Sequence, residues 1–238
     1  MNLRYSELFH SLQGEGPSTG TPAHFLRLQG CDVGCRWCDT RYTWPADGGT
    51  SATWAEVRER LQGLGRADLI VVTGGEPLVH GGIAELLALA LESWPRVEVE
   101  TSGIAAPPLR HERLFYNHSP KLPSVTERWQ DTWRHAGAFA ADPNTTTKIV
   151  IGDDPDTEDA LRLIQAGAAA QIHQPGGCAS QADNLVSNRL ILARAKHPGL
   201  PAAMAGERTS DQFDLWMPGL AGVDQIASDL YGPRQTAQ

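Results

Sequence analysis

The chain predicts an α/β fold, a partial (abbreviated) TIM-like barrel of about six parallel strands. Two observations point there. Short apolar runs alternate with longer helical patterns from about residue 20 to 198. The motifs rich in Cys, Gly, Ser and Glu all follow apolar runs, where strands would end. Strands alternating with helices pair in parallel through right-handed crossovers, and chemistry in such sheets gathers at their carboxyl ends.

Strands are expected over residues 24–29, 68–72, 97–100, 114–117, 148–151 and 170–173. Thr53-Trp54-Ala55-Glu56 has the spacing of a capping box, which starts a helix ending near Gly63 or Gly65. The leucines and alanines of 83–93 fit a 3.6-residue period. Asp154-Pro155 offers a cap and a first-turn proline for a helix to about residue 166, and 184–196 reads as the last helix.

A length of 238 residues suits a single domain, 1–238, with a core over about 20–198 and an irregular tail over 199–238. Apolar residues make up 41% and charged residues 20%, ordinary for a globular protein. The absence of eighteen consecutive apolar residues argues against a membrane span. Residues 1–7 lack the apolar core of a secretory signal, so the expected compartment is cytoplasmic. A net charge of −8 with scattered Lys and Arg argues against nucleic acid and for a small-molecule partner.

Cys31, Cys35 and Cys38 form a C-x3-C-x2-C loop, while Cys178 stands far away. Soft thiolates on one loop select zinc, copper(I) or an iron–sulfur cluster. Structural zinc normally takes four ligands; Asp32, Asp39 or Cys178 would have to complete it. A 4Fe–4S cluster held by three cysteines instead leaves one iron for S-adenosylmethionine, whose reductive cleavage supplies a 5′-deoxyadenosyl radical. Thr73-Gly74-Gly75-Glu76-Pro77 lies one βα unit later and can offer carbonyls and a carboxylate to that cofactor's ammonium. Its glycines allow close backbone approach.

Ser11-Leu12-Gln13-Gly14-Glu15-Gly16, Arg27, the loop ending Trp37-Cys38-Asp39-Thr40, residues 73–77, Glu100 to Gly103, Ser119-Pro120-Lys121 and Gln174-Pro175 carry a resemblance. Over about residues 5–176 the chain resembles the 7-carboxy-7-deazaguanine synthases, a radical S-adenosylmethionine family. The resemblance implies a homodimeric, magnesium-dependent lyase of queuosine-type biosynthesis. Its reaction would convert 6-carboxy-5,6,7,8-tetrahydropterin to 7-carboxy-7-deazaguanine with loss of ammonia. A donor such as flavodoxin or ferredoxin would supply electrons.

By the same resemblance Trp37, Cys38, Asp39, Gly75, Glu76, Ser119, Pro120 and Lys121 would hold S-adenosylmethionine. Leu12, Gln13, Gly14, Glu15, Arg27 and Thr73 would hold the pterin, and Thr40 would give an oxygen to Mg2+. Glu15 suits the pterin's paired N–H donors, and Arg27 suits its carboxylate. His10, His24, His118 and His173 are read as structural, and Trp44 and Trp54 as packing residues. The segment around Gln212-Phe213-Asp214 departs from the family's C-terminal pattern. The rivals are an activase for glycyl-radical enzymes and a non-catalytic zinc or iron–sulfur module.

Overall fold

In the computed structural model, residues 1–152, 154–172 and 190–194 are described. Six strands form a parallel run: β2 (Pro22–Leu28), β4 (Leu69–Gly74), β5 (Arg96–Thr101), β6 (Leu114–His118), β7 (Thr145–Ile151) and β8 (Leu190–Arg194). Two antiparallel strands extend it, β1 (Asn2–Leu12) beside β2 and β3 (Thr50–Thr53) beside β1. The order β3-β1-β2-β4-β5-β6-β7-β8 is an open, mostly parallel sheet, consistent with a partial TIM-like barrel. Chain contacts group Met1–Pro198 as one unit; residues 199–238 lie outside the described residues, as do Gln174-Pro175 and Cys178.

The sixth parallel strand is not where the sequence suggested. Residues 170–172 finish the helix Asp154–Ile172, which runs past its expected end near 166. The run Ala166-Gly167-Ala168-Ala169-Ala170 explains this, because alanine forms helix without side-chain entropy cost. β8 falls within the expected helix at 184–196. Leu190-Ile191-Leu192-Ala193 is a short apolar run, and such runs fit a buried parallel strand as well as a helical turn.

Side-chain alternation divides the sheet into two faces. Ile70, Val72, Val97 and Val99 pack with Val57 and Leu61 of α1 (Trp54–Gly63) and Leu86, Leu87 and Ala90 of α2 (Ile83–Ser93). The apolar residues of α2 recur at 83, 86, 87, 90 and 91, a single stripe that fixes which side it buries. The α1 capping box forms as expected, with Glu56 N donating to Thr53 Oγ1 and Thr53 N donating to Glu56 Oε2 at 2.8 Å. On the other face Ala23, Phe25, Leu69 and Val71 make an apolar floor. Further along the strands that face turns polar at Thr73, Glu100, Asn117 and Lys148, while Glu98 lies beneath them, in register with Val71. This change of character positions the site.

His118 at the end of β6 is buried and stacked on Phe139, ring centroids 4.3 Å apart. Burial holds its imidazole down to about 3. The unfolded chain therefore takes up a proton below about pH 6.5 that the folded chain refuses until near pH 3. That linkage costs the fold up to roughly 1.4 kcal/mol per pH unit on acidification. Thermal unfolding between pH 7 and 5 should show a shallower acid slope for His118→Phe than for the parent. Parallel slopes would remove His118 from the acid response.

Candidate active site

A cavity of about 590 Å3 opens at the carboxyl ends of the parallel strands. Cys31, Cys35, Cys38, Trp37, Asp39, Thr73, Gly75, Glu76, Ser119, Pro120, Lys121 and Glu15 all line it. Leu12, Gln13, Gly14, Arg27 and Thr40 do not, although Thr40 Oγ1 lies 3.5 Å from Cys38 Sγ. Trp54 packs in the core as read from the sequence, but Trp44 lines the cavity.

The cysteine loop is pinned along its length. Gly30 N donates to Thr43 O at 2.6 Å and Cys31 N to Trp44 O at 3.2 Å. Further on, Arg36 N donates to Val125 O at 2.9 Å, and Thr126 Oγ1 bonds Val33 O. Gly30 and Gly34 take φ of 108° and 70°, values that glycine accepts without strain. Gly75 lies directly against the loop: a Cβ there would come within 2.7 Å of Cys31 Cβ.

The three thiols are free of disulfides and half-buried. Burial pushes the Cys31 and Cys35 thiols up, and Lys121 pulls Cys35 partly back. Bare thiolates are thus disfavoured here, and a cationic metal centre held by these thiols would supply the missing charge. Asp32 is taken by Arg128 at 2.5 Å. Among the described residues no three His, Cys, Asp or Glu side chains converge as one metal ion would require. A four-iron cubane is wider than one ion, and the donor set of three soft thiolates on a common wall fits it.

Glu76 differs from its sequence reading. Its buried carboxylate accepts from Leu78 N (3.0 Å) and Thr101 Oγ1 (2.6 Å) on Oε1, and from Ser102 N (2.7 Å) and Ser102 Oγ (2.5 Å) on Oε2. Four donors fill the acceptor sites of a carboxylate. Glu76 therefore braces the turn, and the surface it leaves to a ligand is the backbone of Gly74 and Gly75. Beside it Ser119 N donates to Thr101 O at 2.7 Å, and Lys121 Nζ to Ser119 Oγ at 3.1 Å.

Of the Gln-Gly-Glu-Gly stretch, Glu15 reaches the cavity. Glu15 is ion-paired with Lys148 of β7. Gln13 is buried, its Nε2 3.2 Å from both Glu98 Oε2 and Glu100 Oε1, while Leu12 is 60% exposed. Thr73 Oγ1 donates to Glu100 Oε2 at 2.7 Å. Burial, then the charge of Glu15, pushes the Glu100 carboxyl up. Arg27 stands beside Thr73 in register, yet its guanidinium pairs with Glu7 at 2.6 Å. His24 is a core residue, accepting from Trp94 Nε1 at 3.0 Å.

Sequence reasoning missed Lys148 and Asn117 as cavity residues, and took Glu100, Thr101 and Ser102 no further than their place at a strand end. The period-2 alternation of β6 and β7 was the available signal for the first two.

A model of the Radical SAM superfamily matches residues 26–116, from β2 through the cysteine loop to β6. Fold and site together define a radical S-adenosylmethionine enzyme. The 7-carboxy-7-deazaguanine synthase of Pyrobaculum aerophilum is 38% identical over 168 residues, covering 69% of this chain and 73% of that protein. The synthase of Hyperthermus butylicus is 43% identical over 123 residues, covering 50% of this chain and 52% of that protein. The crystal structure of QueE from Escherichia coli superposes with a TM-score of 0.54 at 26% identity, covering 83% of this chain and 95% of that one. The chain belongs to the 7-carboxy-7-deazaguanine synthase family. With that class come a 4Fe–4S cluster, S-adenosylmethionine, a small-molecule substrate and a need for reductant. Among the described residues no helix is long and apolar enough to cross a membrane.

Gly75→Ala should force the turn away from the cysteine loop, because the added methyl meets Cys31 and the Gly30 carbonyl. The expected result is iron content lowered by half or more after anaerobic reconstitution, with far-UV circular dichroism retained. Full iron loading would show that the contact yields without consequence.

Proposed function

We propose that this cavity converts 6-carboxy-5,6,7,8-tetrahydropterin to 7-carboxy-7-deazaguanine with loss of ammonia, as a lyase of 7-deazapurine (queuosine-type) biosynthesis. The observation that carries it is the meeting of two groups of side chains in one cavity. The three thiols and the Glu15–Lys148 pair line the same space.

Cys31, Cys35 and Cys38 are the residues to hold the cluster, which with S-adenosylmethionine supplies the hydrogen-abstracting radical. Trp37, Asp39, Gly75, Ser119, Pro120 and Lys121 surround the space next to the thiols, and we assign them to that cofactor. Glu76 serves it by fixing the turn, its own oxygens being occupied. Glu15 takes the N–H edge of the pterin, with Leu12, Gln13 and Gly14 shaping its loop and Thr73 on the adjoining strand. Arg27, in register with Thr73, exchanges Glu7 for the substrate carboxylate. Thr40, beside Cys38, is the proposed oxygen ligand of Mg2+, a hard cation that needs few protein donors.

A homodimer, flavodoxin or ferredoxin as electron donor, and the cytosol as compartment complete the reading. Reduced thiols persist in the cytosol. A glycyl-radical activase would need to admit a protein segment; a cavity of about 590 Å3 suits a small molecule.

Anaerobic incubation with the pterin, S-adenosylmethionine and reductant tests the reading by mass spectrometry. The deazaguanine product and ammonia are expected, and deoxyadenosine without any pterin product would contradict it. Cys35→Ala should lose the cluster and all turnover, whereas Cys178→Ala should keep both; iron loss in the second variant would overturn the ligand assignment. Glu15→Gln presents a donor to the pterin's donors, a mismatch of about 1–3 kcal/mol. Pterin KM should rise about tenfold or more while uncoupled deoxyadenosine formation persists, and unchanged pterin kinetics would take Glu15 out of the site.

A further inference from the structure

We propose that Glu98 is a positioning residue for the substrate wall, a buried carboxylate that clamps the loop carrying Glu15 to strands β5 and β6. The inference deepens the proposed function and rests on it for the identity of the substrate. Glu98 is fully buried, lies in mid-strand below Glu100 and does not itself line the cavity. A charged side chain is disfavoured at such a position unless its charge and acceptor sites are matched.

They are matched by four donors. Arg96 Nε lies 2.9 Å from Oε1, and Ser18 Oγ bonds the same oxygen. Gln13 Nε2 at 3.2 Å and Asn117 Nδ2 at 3.3 Å reach Oε2. Arg96 brings the countercharge, and the other three tie down residues 13–18. Gln13 and Ser18 hold the two ends of that segment. Asn117 supports its middle: Gly16, at φ +67°, packs so tightly there that a Cβ would stand 2.9 Å from Asn117 Cγ.

The clamp reaches Glu15 through Gln13. The Gln13 Oε1 accepts from Glu15 N at 3.2 Å, fixing the backbone from which the Glu15 carboxylate extends to Lys148. The neck of the loop is closed by Gly20 N donating to Gln13 O at 2.7 Å. Glu100 shares the Gln13 amide but also faces the cavity. Glu98, outside the cavity lining and paired with a guanidinium, is the anchor of the loop.

Glu98→Gln in the reconstituted holoenzyme tests this by hydrogen exchange over residues 13–20 and by pterin kinetics. Losing one acceptor oxygen and adding a donor should speed exchange across that loop and raise pterin KM by about tenfold each, with kcat within about threefold. Deoxyadenosine formation without pterin should stay within about twofold of the parent on the same grounds. Should Glu98→Gln fail to fold, Ser18→Ala removes one donor from the same carboxylate and should give smaller changes in the same direction. Parent-like loop exchange in the folded variant overturns the proposal. So does a fall in melting temperature and kcat with pterin KM unmoved, the pattern of a merely structural carboxylate. If the parent itself does not turn over the pterin, the functional reading fails, and loop exchange alone decides the clamp.

Discussion

Glu76 accepts four hydrogen bonds while buried, from Leu78, Thr101 and both donors of Ser102, and its own N–H donates to Gly30 O at 3.0 Å. One residue thereby couples the turn after β4, the end of β5 and the entry to the cysteine loop. A buried carboxylate is tolerated only with every acceptor site filled, and removing one partner strands a charge away from water. The arrangement is accordingly stiff, and stiffness is what three thiols need if they are to meet one cluster. Gly75 completes it by omitting the side chain that would hold turn and loop apart.

A second buried carboxylate, Glu98, does the corresponding job for residues 13–18. The sheet face that carries it starts as an apolar floor of Ala23, Phe25, Leu69 and Val71 and becomes polar toward the strand ends. The floor supplies hydrophobic stabilisation without shaping the ligand, while the polar rim trades stability for geometry. The cysteine loop and the loop carrying Glu15 are thus each braced by a buried carboxylate. Among the described residues, Lys148 and Lys121 bring ammonium groups to the cavity.

Much of this was legible in the sequence where the signal is local. The capping box of Thr53, the period of α2, the cysteine spacing and the glycine turn are patterns of a few residues, each with one dominant physical meaning. What escaped depends on pairing. β1 does not declare itself as a strand, because a register shift between Tyr5 and Glu7 breaks its alternation. The sixth strand went astray because short apolar runs do not declare their period. Arg27 lies on the expected strand, but only the β1–β2 register reveals Glu7 as its partner. Glu76 looks like a ligand from its place in a glycine turn; its four donors come from the turn itself and from β5, and only folding brings them together. Glu98 has no motif at all, and its meaning arises from elements 80 residues away, where Ser18 meets it.

The central claim is that Cys31, Cys35 and Cys38 hold a cluster with one iron left for S-adenosylmethionine. Its most direct test is electron paramagnetic resonance of the anaerobically reconstituted, reduced protein, with and without that cofactor, beside metal and sulfide analysis. The account predicts about four irons and as many labile sulfides per chain, with a signal that shifts when S-adenosylmethionine is added. Zinc without sulfide, or an iron–sulfur signal indifferent to the cofactor, would contradict it.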